Sequence, residues 1–208
     1  MIEQHYLDDA LRQLRKLKTQ ADQALTQTTD AHLFATLDPE ANSIAVIMKH
    51  MAGNMRSRWT DFLTTDGEKP DRERDSEFEL SAADTRESVF SQWEHGWATV
   101  LGSIAALTPA DLGKAVRIRG ESHTIIEAIN RQTSHYAAHV GQIVLLAKHY
   151  EGASWKTLSI PRGKSKEFYV SKAGGPYNVN YRLATRDTPG MRDPGSVGES
   201  WKREAGSW

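Results

Sequence analysis

Cysteine is absent from the 208 residues. Its absence excludes a disulfide framework, a thiolate nucleophile and any zinc site built on cysteine. Imidazole, carboxylate and water remain as ligands for a metal ion. Long apolar runs are also missing, since none approaches the roughly eighteen residues that a membrane span requires. The amino terminus, MIEQHYLDDALRQL, is charged and periodic from its start and lacks the basic head and continuous apolar stretch of a signal peptide. A soluble, cytoplasmic protein with no membrane partner is the expectation. Nor is either sign of charge in excess. A formal net charge of −1 gives no global field to draw the chain onto nucleic acid, and no nucleic-acid partner is expected. No internal repeat of fixed period is visible.

What is present is helical periodicity. With 38% hydrophobic and 25% charged residues the chain is long enough for one well-buried core and too short to promise two. From Ile2, apolar residues recur at Tyr6, Leu7, Leu11, Leu14, Leu17, Ala21 and Leu25, an amphipathic stripe that ends in the polar cluster before Pro39. A second helix is predicted over 43–63, with Ile44, Ile47, Met48, Met51, Met55, Trp59 and Phe62 on its buried side and Asn42 or Ser43 as its cap. Residues 64–81, TTDGEKPDRERDSEFELS, read as a solvated surface loop. Their seven acids do not follow the calcium-loop pattern. A third helix, opening near Ser81 or Asp84 and running to Leu107, carries Phe90, Trp93, Trp97, Val100, Leu101 and Ile104, an aromatic stripe whose spacing marks core rather than a ligand box. After a connection with a short extended piece at 115–119, a fourth helix is predicted from Ser122 or His123 to Tyr150, stopped by Gly152.

These four helices predict an all-α fold, an up-and-down four-helix bundle with room for one longer crossing and an irregular C-terminal extension. Residues 1–170 are read as the bundle with an extended segment packed on it. Residues 171–208, rich in Gly, Pro, Ser, Asn and Arg, are read as a flexible tail. From Glu151 onward ten Lys or Arg stand against six Asp or Glu.

The chemistry is concentrated in SHYAAHVGQI. His135 and His139 are four apart, a spacing that stacks both imidazoles on one helix face roughly 5–6 Å apart at Cβ. Burying them among aliphatic residues costs free energy unless their nitrogens are satisfied, by metal or by polar partners. A third ligand must come from another helix, and His50, in IMKHMAGNM, is the remaining histidine deep in an amphipathic run. The other five, His5, His32, His95, His123 and His149, read as surface or capping residues. The Glu-x-x-His units of di-iron bundles and the His-Glu-x-x-His motif are both missing. No carboxylate falls within a helical turn of the three histidines in sequence. A mononuclear site on His50, His135 and His139 with open positions fits best.

The His50 helix followed by His-x-x-x-His-x-Gly-Gln-Ile resembles the DinB/YfiT-like superfamily of metal-binding four-helix proteins over about residues 1–150. KHMAGNMRSRW, DGEKPDRERDSEFE, HYAAHVGQI and WKTLSIPRGKS further resemble an uncharacterised bacterial branch of it. Matched position by position, the ligands fall on His50, His135 and His139. The resemblance implies one divalent metal, zinc or nickel foremost, and frequent homodimers through helix faces. It also implies, for some members, thiol S-transfer to a small electrophile from an external low-molecular-weight thiol such as bacillithiol or mycothiol. Such a thiol would resolve how a chain without cysteine performs thiol chemistry. On that reading Asn54 and Gln142 orient water or substrate, with simple helix packing as the alternative, and Arg58, and Arg162 with Lys164, bind a carboxylate on the thiol, with ordinary surface charge as the alternative. A metal-dependent hydrolase and a non-catalytic protein stabilised by its metal are the alternatives.

Overall fold

A computed structural model describes residues 2–166. Among them are five α-helices, α1 (Ile2–Leu25), α2 (Asp30–Phe34), α3 (Ile44–Trp59), α4 (Arg86–Ala105) and α5 (Ile125–Glu151), with one hairpin, β1 (Ala115–Ile118) and β2 (Glu121–Thr124). The fold is mostly helical, as expected, and no helix among the described residues is long and apolar enough to cross a membrane. The proposed tail, 171–208, lies outside the described residues.

Helix starts follow capping chemistry. Ser43 accepts from the Val46 N–H at the head of α3, and Thr85 and Thr124 form reciprocal capping boxes with Ser88 and Glu127. α3 packs mainly on α4, and α1 on α5, while α1 also meets α4 and α3 also meets α5. The core between them holds Leu14, Met48, Met51, Met55, Trp59, Trp93, Trp97 and Tyr136, all essentially out of solvent. Trp97 meets both Trp93 and Tyr136 edge to face, with ring centroids at 5.6 and 5.8 Å, an arrangement favoured by the ring quadrupoles. α4 lies close on α3 because Gly96 has no side chain: a Cβ there would stand 3.1 Å from the Ala52 Cα. The segment after α5 packs back through partly buried Trp155 and Leu158. The Gln27 amide clamps it by donating to the Lys156 carbonyl at 3.1 Å and accepting the Lys156 N–H at 2.7 Å.

Besides the short helix α2 in the cluster before Pro39 and the start of α4 at Arg86 rather than near Ser81 or Asp84, two regions differ from the sequence reading. The last helix begins at Ile125, not at 122 or 123, because residues 115–124 form the hairpin. Its two-residue turn, Arg119–Gly120, has φ of 55° and 78°, the mirror-image turn whose twist suits a tight hairpin. The second difference is residues 64–81, which are folded against the helices. Asp66 accepts the N–H groups of Arg119 and Gly120, each at 2.8 Å, and the Gly67 N–H donates to the Arg117 carbonyl at 2.7 Å. Lys49 of α3 donates to the Glu79 carbonyl and to Asp84 at the far end.

Glu68 is the hub of this segment, accepting from Arg58 at 2.9 Å and Arg119 at 2.7 Å. Partial burial alone would raise its carboxyl, but these two guanidinium groups, with that of Arg72 at 3.4 Å from its Oε1, overcome that and hold it at about 2. The folded state therefore binds fewer protons than the unfolded one between about 4.5 and 2. The stabilisation from Glu68 is complete above that window and lost as pH falls through it. In urea titrations at a series of pH values, Glu68→Gln should flatten the acid limb of the stability curve; an unchanged limb would show that Glu68 carries none of it.

Candidate metal centre

His50 comes from the middle of α3, and His135 and His139 from successive turns of α5. The packing of α3 against α5, fixed nearby by the Trp59 Nε1–H donating to the Tyr136 hydroxyl at 2.9 Å, brings the three rings together. His135 Nε2 lies 3.4 Å from His50 Nε2 and 3.1 Å from His139 Nε2. One nitrogen from each histidine lies within 4.8 Å of the others, and among the described residues no further histidine, aspartate or glutamate joins the group. Nitrogens about 2.0–2.1 Å from a tetrahedral zinc stand roughly 3.4 Å apart. The three imidazoles are therefore close enough to bind a metal ion.

The donor set fits chemically as well as by distance. Burial, reinforced by the neighbouring His139 and His50, pushes His135 down to about 4, so its ring is neutral at physiological pH. Burial pushes His139 down too, although the Gln142 hydrogen bond opposes it. Neutral rings present lone pairs rather than charges to a cation. Two rings are also held from behind. His50 Nδ1–H donates to Glu77 Oε2 at 2.9 Å, and His139 Nδ1–H donates to Gln142 Oε1 at 2.8 Å. Holding the proton on Nδ1 leaves Nε2 free, the usual arrangement behind a metal-ligating histidine. The buried His135 Nδ1 has no such partner among the described residues.

The remaining residues expected at the site are placed as follows. Gln142 touches His139. Asn54 is buried one turn beyond His50, and its Oδ1 accepts from the Tyr136 hydroxyl at 3.3 Å. Arg58 is also buried, but its guanidinium is engaged by the Gly67 carbonyl and by Glu68. Arg162 is exposed on the turn closed by the Lys164 N–H to the Pro161 carbonyl, and no hydrogen bond or ion pair among the described residues joins it to the histidines. Two residues absent from the sequence reading do reach the centre. Phe78 packs on His50, ring centroids 4.8 Å apart, and the Arg74 guanidinium lies over the Phe78 ring, 4.9 Å from its centroid. Glu77, the partner of His50, was hidden in the charged segment. The signal that points to it is Gly53. A glycine inside a helix costs about 1 kcal/mol against alanine and often marks a close approach. A Cβ there would lie 2.2 Å from Glu77 Oε1.

Comparison with curated proteins and with solved structures gives no match. A family model described as protein of unknown function (DUF1572) matches residues 1–164, which takes in all three histidines and the Glu77 segment. The chain thus belongs to the DUF1572 family.

Proposed function

We propose that this is a DinB-like protein that binds one divalent metal on His50, His135 and His139 and uses it to transfer an external low-molecular-weight thiol to a small electrophile. The four long helices, α1, α3, α4 and α5, make the bundle on this reading, with α3 and α5 supplying the ligands. The observation that carries it is the convergence of three imidazole nitrogens at 3.1 and 3.4 Å. A bound zinc or nickel ion supplies Lewis acidity at the positions that three side chains leave open.

This chain's own residues do the rest. Glu77 and Gln142 hold the protons of His50 and His139 on Nδ1 and aim Nε2 inward. Asn54, whose Oδ1 accepts from the Tyr136 hydroxyl, would orient a bound group through its amide nitrogen. A thiol donor fits better than an activated water. Hydrolysis wants a free carboxylate base, whereas Glu77, the carboxylate in contact with the ligand histidines, is engaged by both His50 and Arg72. The chain has no cysteine, so the sulfur comes from a second substrate.

The test uses monochlorobimane with glutathione, coenzyme A, bacillithiol and mycothiol in turn. The sulfur–carbon bond forms as the carbon–chlorine bond breaks, chloride leaves with the bonding pair, and the thiol proton passes to buffer. At least one thiol should react in a metal-dependent manner, with the rate abolished by chelation. Metal-dependent ester hydrolysis without thiol would instead establish the hydrolase. Neither activity, with a large loss of thermal stability on chelation, would establish a structural metal.

A further inference from the structure

Residues 64–80 carry a buried ion pair. The Arg72 side chain is 2% exposed and the Glu77 side chain 8%. They meet through two parallel hydrogen bonds, Nε to Oε1 at 2.8 Å and Nη2 to Oε2 at 2.9 Å. Taking two charges out of water is costly, and apolar residues of similar volume often serve stability as well or better. The pair is nevertheless pressed onto the bare backbone of α3 at Gly53, three residues after His50, where any side chain would collide with Glu77. Glu77 Oε2 also accepts from His50 Nδ1 at 2.9 Å, and Arg72 Nη1 reaches Glu68 Oε1 at 3.4 Å.

We propose that Glu77, clamped by Arg72 and admitted by Gly53, is a positioning residue that fixes His50 for metal binding and couples the folding of residues 64–80 to metal occupancy. The inference rests on the metal reading above. A cation at Nε2 draws electron density from the imidazole and makes Nδ1–H a stronger donor, so metal binding tightens the bond to the Glu77 carboxylate. By linkage, whatever seats Glu77 raises metal affinity, and metal in turn holds the segment that carries Glu77. The segment is also tied to the hairpin through Asp66 and Glu68, so the coupling reaches the β1–β2 turn.

Two variants separate this role from helix stability. Gly53→Ala improves helix propensity but leaves no room for the Glu77 carboxylate. Glu77→Gln is nearly isosteric and loses the charge. Zinc affinity, measured by competition with a chromophoric chelator on the full chain, should fall about 10- to 100-fold in both. Amide exchange over residues 75–79 should slow when zinc is added to the wild type and change little in Glu77→Gln. In the cobalt-substituted proteins the visible bands of Glu77→Gln should be displaced from those of the wild type, which a purely structural Glu77 would not cause. Wild-type protein that fails to bind zinc would overturn the metal reading itself. Zinc bound by the wild type and by Glu77→Gln within about twofold, with unchanged cobalt bands, would overturn this inference and leave the metal reading standing.

Discussion

Replacing His135 and His139 together by alanine should abolish stoichiometric metal binding without unfolding the protein. Two of three ligands are lost, yet the apo variant gives up little. The His135 Nδ1 is buried without a partner among the described residues, and removing an unsatisfied buried group relieves a desolvation cost. Alanine is also the better helix former. Stability of the metal-free variant should therefore lie within about 1 kcal/mol of the metal-free wild type. The difference emerges on loading. Free metal at 100 times Kd stabilises the wild type by about 2.7 kcal/mol, a rise in Tm of roughly 5–10 °C for a chain of this size. The variant should show no such rise, and chelation should lower Tm in the wild type alone. A variant that keeps one metal per chain after dialysis, with circular dichroism unchanged, would reject this ligand set.

Trp93→Ala should be the most damaging single core substitution. Trp93 is wholly out of solvent, meets Trp97 edge to face, and donates its Nε1–H to Asp22 at 3.0 Å, tying α4 to α1. Truncation removes the ring, opens a cavity and leaves an Asp22 oxygen with one donor fewer. Such changes cost about 3–5 kcal/mol, a large share of the 5–15 kcal/mol typical of a folded domain. Urea unfolding measures the loss, and a value below about 1 kcal/mol would mean that the α1–α4 contact is not where stability lies. The three histidines are on α3 and α5, so the folded fraction should still bind metal one to one.

Both predictions rest on features that the sequence displays unequally. Helical periodicity locates α1, α3, α4 and α5 because burial on one face repeats every three to four residues, and the spacing of His135 and His139 is a property of one helix. His50 stands out because a histidine on the apolar face beside Ile47 and Met51 needs a partner. Glu77 could not be found that way. It is 27 residues from His50, in a segment whose charges follow no period, and its neighbours Asp75 and Glu79 are chemically similar but solvent-facing. Only the tertiary fold distinguishes the one buried acid from the six others there. The hairpin was half legible. Ala115 to Arg119 reads as extended, but the turn depends on positive φ at Arg119 as well as Gly120, and arginine does not advertise that conformation. Arg58 is different again: one turn beyond Asn54 its sequence position suggests a carboxylate site or ordinary surface charge, and the fold buries its guanidinium against Gly67 and Glu68.

X-ray absorption at the edge of the bound metal, recorded on untagged full-length protein, is the most direct test of the centre. Three imidazole nitrogens are expected around a single ion, with lighter scatterers filling the remaining positions. A shell dominated by oxygen, or one with fewer than two imidazoles, would mean that His50, His135 and His139 do not hold the metal together.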